Sequence, residues 1–129
     1  IAEYNFDTHM MEYVNAGHNP TLFLHKNELT LLDKGTTGLG MVQELPKVKL
    51  GSEVIRKGDV ILCYTDGITE TQSEKGDWFG EERLIEIVKE ESKENSPKRI
   101  NDVIIKRTQE FKGKMADHDD FALLTLCFN

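Results

Sequence analysis

Gly58-Asp59-Val60-Ile61-Leu62-Cys63-Tyr64-Thr65-Asp66-Gly67-Ile68-Thr69-Glu70 is the stretch that decides the fold. Gly58 and Asp59 make a turn, and Val60 to Tyr64 form a short apolar run bounded by turn residues. That is the pattern of a fully buried strand. The run stops on Thr65-Asp66-Gly67. A carboxylate at the mouth of a buried strand is costly to desolvate unless something compensates it, and a divalent cation is a common partner. Gly67 lets the backbone turn sharply beside that carboxylate with no side chain in the way. On these residues alone, an Asp-Gly after a strand is more often a plain turn.

Near the other end, His118-Asp119-Asp120 directly precedes Phe121 to Phe128, a second apolar and β-prone run. Asp66 follows one strand and Asp119 precedes the other. If these strands are antiparallel neighbours, the two carboxylates fall at the same edge of the sheet. A hard cation such as Mg²⁺ or Mn²⁺ takes a few carboxylate oxygens in this way, with water completing its shell. The competing reading makes Asp117, Asp119 and Asp120 a solvated acidic turn.

Working outward, Ala2, Tyr4 and Phe6 alternate with polar residues and predict a half-buried strand. A turn over Asp7 to Met10 leads to a second strand, Met11 to Ala16, and the two should form a hairpin. Gly17-His18-Asn19-Pro20 breaks the pattern. Thr21 to His25 and Leu29 to Leu32 predict a second hairpin around Lys26-Asn27-Glu28. Gly35 to Gly40 reads as an irregular loop, and Gly38-Leu39-Gly40 lacks the Lys and following helix of a phosphate-binding loop. Lys47 to Ile55 predicts a strand with a bend or bulge at Gly51. Thr71 to Trp78 is a polar surface loop.

Glu81 to Glu91 and the segment from Pro97 to Gly113 carry apolar residues at helical spacing. Acidic residues open the first helix, which suits its dipole. Ser96 is placed to cap the second, with Pro97 at its first position. Strands first, with helices between the last two strands, is an α+β order.

The chain has 129 residues, the size of one domain, with 38% hydrophobic and 30% charged residues, a soluble globular composition. Its net charge of −7 argues against a nucleic-acid surface, which needs clustered Lys and Arg. Cys63 and Cys127 lie in apolar runs without Cys-x-x-Cys spacing and read as buried thiols in a reducing compartment, with a disulfide left open. No apolar stretch is long enough for a membrane span, and no signal peptide is visible. A cytoplasmic location without direct membrane contact is expected, with membrane anchoring upstream in the parent protein left open.

Asn15-Ala16-Gly17-His18-Asn19-Pro20, Thr37-Gly38-Leu39-Gly40, the central Gly58 to Glu70 stretch, Phe79-Gly80-Glu81-Glu82-Arg83-Leu84 and Asp119-Asp120 stand in that order. Together they resemble the SpoIIE/RsbU-type serine phosphatases of the PP2C-like, metal-dependent PPM superfamily, over nearly the whole chain. The resemblance implies a PP2C-like β-sandwich flanked by helices, with residues 1–129 forming its C-terminal portion. The family's Gly-Asp-aromatic-x-Asp motif, whose acidic residue bridges two metals, and its Asp-Val-x-Gly-His-Gly stretch have no counterpart here. The family's last motif, Asp-Asp-(Ile/Met)-Thr, reads Asp119-Asp120-Phe121-Ala122.

By resemblance, Asp66 and Asp119 are the metal ligands, for two Mn²⁺ or Mg²⁺ ions in an intact domain. Gly67 and Asp120 support them, and no residue is assigned as a catalytic acid, base or nucleophile. His18 is a candidate loop contribution, since a general acid would have to protonate a leaving serine oxygen. His9, His25 and His118 have no ligand spacing and read as surface residues. The implied reaction is hydrolysis of a phosphoserine or phosphothreonine ester by a metal-activated water. The implied substrate is a phosphorylated anti-sigma-factor antagonist in a bacterial signalling protein with an upstream sensor or regulatory domain. Without the bridging aspartate, the chain alone is expected to be weak or inactive. Two alternatives stand beside this: a non-catalytic phosphatase-like module that binds a protein partner, and a homodimer formed through uncovered strand edges.

Overall fold

The computed structural model describes residues 1–116 and 119–129; Asp117 and His118, and the expectations placed on them, lie outside the described residues. The central stretch forms the expected strand. Val60–Tyr64 sits inside a four-stranded antiparallel sheet whose order is β5 (Glu28–Leu32), β4 (Thr21–His25), β8 (Val60–Tyr64) and β9 (Leu123–Cys127). A second sheet contains β1 (Ala2–Asn5), β2 (Met10–Tyr13) and β7 (Gly51–Val54), also antiparallel. Among the described residues, the α-helices α1 (Asp66–Thr69), α2 (Gly80–Glu91) and α3 (Pro97–Lys112), with a 3-10 turn at Ser92–Glu94, complete the α+β fold.

Alternation along the strands explains the layers. Leu22, Leu24, Val60, Leu62 and Tyr64 pack on Ile68, Leu84, Ile87, Val88, Ile100 and Ile104 of the helices. Phe23 and Ile61, one residue out of phase, pack on Met11, Tyr13, Leu32 and Ile55 beneath the second sheet. β8 is therefore covered on both faces, which is why its sequence is a continuous apolar run and not an alternating one. β8 and β9 are antiparallel neighbours in the register Tyr64↔Leu123, Leu62↔Thr125 and Val60↔Cys127. The end of β8 and the start of β9 thus share one edge, as the condition stated for the two carboxylates requires.

The two hairpins form as expected. The second closes on Lys26-Asn27, both with positive φ (46° and 76°), as a tight two-residue turn demands. α3 begins on Ser96, whose hydroxyl accepts from the Arg99 N–H at 3.4 Å, and ends at Gly113 with φ 62°.

Several boundaries differ from expectation. Lys47 to Leu50 is not a strand. These residues are exposed, and β7 starts only at Gly51, opposite Tyr13. Nor does Gly51 make a bulge: a Cβ there would lie 2.2 Å from the Tyr13 ring, so the glycine is the flat seat on which that ring rests. The second strand breaks at Val14. Asn15–Ala16 (β3) instead pairs in parallel with Gly35–Thr36 (β6), inside what read as an irregular loop. Phe121 and Ala122 precede β9 and are not part of it.

Asp59 and His25 correct the sequence reading most. Asp59 is not a plain turn residue; it is 1% exposed. Its carboxylate accepts from His25 Nδ1 at 2.7 Å and from the Arg56 N–H at 2.8 Å, which satisfies a buried charge that would otherwise be prohibitive. His25 is accordingly a partner of the core and not a free surface residue. Cys63 and Cys127 are free, half-buried thiols, opposite Leu124 and Val60 on paired strands and so out of register with each other. Burial pushes the Cys127 thiol pKa up.

At the other end of β8, the Tyr64 hydroxyl donates to Glu81 Oε1 at 2.5 Å, tying the strand to the first turn of α2. Burial, and then the adjacent Glu81 carboxylate, hold this phenol well above the usual tyrosine range. A group whose folded pKa is raised contributes stability that is fully present below its unfolded value, about 10, and is lost as pH climbs beyond it. Between pH of about 9 and 11, the wild-type melting temperature should therefore fall more steeply than that of Tyr64→Phe. At neutral pH the variant should cost about 1–2 kcal/mol in a urea melt. Parallel alkaline profiles would contradict this reading.

Candidate metal centre

The site is assembled where β8 runs into α1. Thr65 is extended (φ −91°, ψ 158°), and the chain then closes a single helical turn starting at Asp66, in place of the simple reverse turn that Asp-Gly suggests. Ile68 in that turn is fully buried and anchors it against the core. The Glu70 N–H donates to Asp66 O at 2.7 Å, and the Thr71 hydroxyl donates to Gly67 O at 2.7 Å. Asp66 itself is exposed at the first position of the turn.

The segment leading into β9 lies directly on this turn. Thr65 holds it three times: its N–H donates to Ala122 O at 3.2 Å, its hydroxyl donates to Asp120 O at 2.7 Å, and the same hydroxyl accepts from the Ala122 N–H at 3.0 Å. A Cβ built on Gly67 would stand 2.4 Å from Asp120 O and 3.4 Å from the Asp119 carbonyl carbon. The glycine is needed for this close approach of two backbones, beyond any freedom in a turn. The structure therefore brings the Asp66 and Asp119 segments together.

Asp120 participates through its backbone. Its N–H donates to Asp119 Oδ1 at 2.7 Å, and its carbonyl accepts from Thr65, so it braces the Asp119 segment with main-chain atoms. Asp119 lines a cleft of about 320 Å³ with Gly67, Glu70, Trp78 and Lys112. His18 does not reach this cleft. It is held in its own turn, its N–H donating to Asn15 Oδ1 and its Nδ1 bonded to Asn19 O, both at 2.9 Å, and it borders a separate cavity with Tyr13 and Cys63.

The donors fit a hard cation in kind: two exposed carboxylates on touching segments, open to water. They fit it incompletely in number, since among the described residues no group of three His, Cys, Asp or Glu side chains could hold a metal ion. Sequence reasoning missed Thr65, Trp78 and Lys112. Thr65 gives no local signal, because its bonds run to residues more than fifty positions later. Trp78, the only tryptophan, stood out of place in a polar loop. For Lys112 no local signal exists, because its position depends on where α3 docks.

Gly67→Ala separates the two roles of that glycine. In a helical turn without neighbours, alanine would stabilise by about 0.5–1 kcal/mol. With Asp120 O in the way, it should instead destabilise by about 1–3 kcal/mol in a urea melt. It should also move the amide resonances of Asp119 and Asp120 more than those of β4. A stabilised variant with unmoved resonances would contradict the close approach.

Comparison with known proteins agrees with the fold. The family described as stage II sporulation protein E (SpoIIE) matches residues 1–129. The phosphoserine phosphatase RsbU of Bacillus subtilis (strain 168) is 34% identical over 131 residues, covering 97% of this chain and 37% of that protein. The SiaA-PP2C domain of Pseudomonas aeruginosa superposes with a TM-score of 0.76 at 15% identity, over 95% of this chain and 48% of that one. The phosphatase domain of SpoIIE from Bacillus subtilis, presoaked with Mn, gives 0.73 at 16% identity, over 100% of this chain and 55% of that one. The chain thus spans roughly a third to a half of the length of these relatives. The chain belongs to the SpoIIE family and has a PP2C-like fold.

Proposed function

We propose that this chain is a phosphatase domain of a bacterial signalling protein, acting on phosphoserine or phosphothreonine esters with Mn²⁺ or Mg²⁺. One observation carries the reading: Asp66 and Asp119, the residues that match the family's metal aspartates, sit on backbone segments clasped by Thr65 and pressed together at Gly67. Asp66 and Asp119 would hold the ion. When bound, a hard divalent cation supplies an activated water and neutralises phosphate charge. The chain's own contribution is placement: Ile68 buries the turn, Thr65 fixes the spacing of the two segments, and Asp120 N–H orients the Asp119 carboxylate. The substrate would be a phosphorylated anti-sigma-factor antagonist, met in the cytoplasm; the similarity to a phosphoserine phosphatase supports that chemistry.

A second reading, a phosphatase-like module that binds a protein without hydrolysing it, draws on the donor count. Two carboxylates without a third ligand hold a divalent ion weakly. Ala122, where the family's last motif has a threonine, also favours this reading.

Calorimetry with Mn²⁺ tests the metal assignment. The chain should bind weakly, at roughly millimolar Kd, and Asp66→Asn and Asp119→Asn should each weaken binding by at least about tenfold. Unchanged binding in either variant would remove that residue from the site. Mn²⁺-dependent hydrolysis of p-nitrophenyl phosphate that disappears in both variants would favour the enzyme. Ion binding without turnover would fit the module and a phosphatase domain without the bridging aspartate alike.

A further inference from the structure

We propose that the outer edge of β7, continued by residues 47–50, pairs with the same edge of a second copy of this chain, antiparallel and centred on Gly51. The contact is independent of the metal reading.

β7 is the end strand of its sheet, bonded to β2 on one side only. The backbone reaches it without a bend from residue 45 onward, so residues 47–50, unpaired as a strand, lie on the same extended line. Alternation fixes what this line presents. The Ile55 N–H donates to His9 O at 2.9 Å and the Lys49 N–H to Gly35 O at 3.0 Å, so main-chain groups at odd positions point inward. Those of Val48, Leu50, Ser52 and Val54 point outward, and among the described residues none of them has a main-chain partner. The same alternation puts their side chains on the outer face of the sheet, where Val48 is 46% exposed, Leu50 59% and Val54 40%. An open edge with an apolar stripe is a template for another strand.

Charge selects the occupant. Lysines on an edge ordinarily discourage pairing, and Lys49 would do so unless the incoming strand offers a carboxylate. A second copy offers one. Antiparallel pairing about Gly51 sets Lys49 opposite the partner's Glu53, Val48 opposite the partner's Val54 and Leu50 opposite the partner's Ser52, each repeated by the two-fold symmetry. Even positions meet even ones, so the outward N–H and C=O groups bond across the junction. Glu53 is half-buried, and among the described residues neither it nor Lys49 has an ion-pair partner. Centring on Leu50 instead would bring Pro46, which has no N–H, opposite the partner's Val54 and lose a bond. Centring on Ser52 would leave Lys49 opposite the partner's Ile55. The edge of β9, Leu123–Cys127, has no charged residue and so nothing of this kind to set a register.

Sedimentation equilibrium of the wild-type chain at low ionic strength, over a series of concentrations, should show a reversible monomer–dimer equilibrium. Lys49→Glu sets like charges against each other at both symmetric positions and should weaken dimerisation by roughly ten- to a hundredfold. Glu53→Lys should do the same, and an equimolar mixture of the two variants should recover the dimer, since each copy then supplies the charge the other lacks. Ser52→Pro removes an outward N–H at an exposed edge position and should leave a monomer whose melting temperature stays close to wild type. Lys49 is exposed and lies outside β7, so its variant tests the contact even if Glu53→Lys fails to fold. A wild-type chain that stays monomeric overturns the proposal. So does a dimer indifferent to Lys49→Glu and Ser52→Pro, which would place the contact on another edge. A mixture of folded variants that fails to recover the dimer overturns it as well, because the two charges then do not face each other.

Discussion

Burial of β8 on both faces is the constraint from which the rest of the structure follows. Val60, Leu62 and Tyr64 face the helices while Ile61 faces the second sheet, so no residue inside the strand can be charged without leaving an unpaired group in the core. The polar chemistry is displaced to the two ends. At one end Asp59 is fully enclosed and satisfied by His25 and the Arg56 N–H. At the other, Asp66 emerges into solvent at the start of α1. The same residue type is buried and paired at one end of the strand and open to solvent at the other.

Pairing of β8 with β9 carries the second acidic segment to the open end. The antiparallel register sets Tyr64 opposite Leu123, and the chain before Leu123 must then cross the α1 turn. It does so at a distance that only glycine at position 67 allows, with Thr65 bonded to the main chain of both Asp120 and Ala122. These hydrogen bonds fix the spacing of the Asp66 and Asp119 segments through main-chain atoms. The candidate centre is thus a consequence of strand register and close backbone packing, and the two aspartates inherit their proximity from the sheet.

Much of this was legible in the sequence, for identifiable reasons. The apolar run of β8, the Lys26-Asn27 turn and the Ser96-Pro97 start of α3 are local signals, and each produced the expected element. Asp66 and Asp119 could be paired because each adjoins a strand. What escaped was non-local. That Asp59 is buried depends on His25, far away in sequence, and Gly51 looked like a bulge because the Tyr13 ring resting on it lies on another strand. The short β3–β6 pairing joins two segments with no apolar pattern, so no periodicity could announce it. Thr65 was hidden because its work is done on the backbone of residues more than fifty positions later.

The claim that organises this account is that Asp66 and Asp119 serve one cation. Substoichiometric Mn²⁺ added to isotope-labelled protein tests it directly, because the ion's paramagnetism broadens amide resonances close to it. The account predicts that the signals of Asp66, Gly67, Asp119 and Asp120 fade together, ahead of the remaining acidic surface, and that Asp66→Asn or Asp119→Asn protects the whole set. Broadening confined to one of the two segments, or spread evenly over exposed carboxylates, would contradict it.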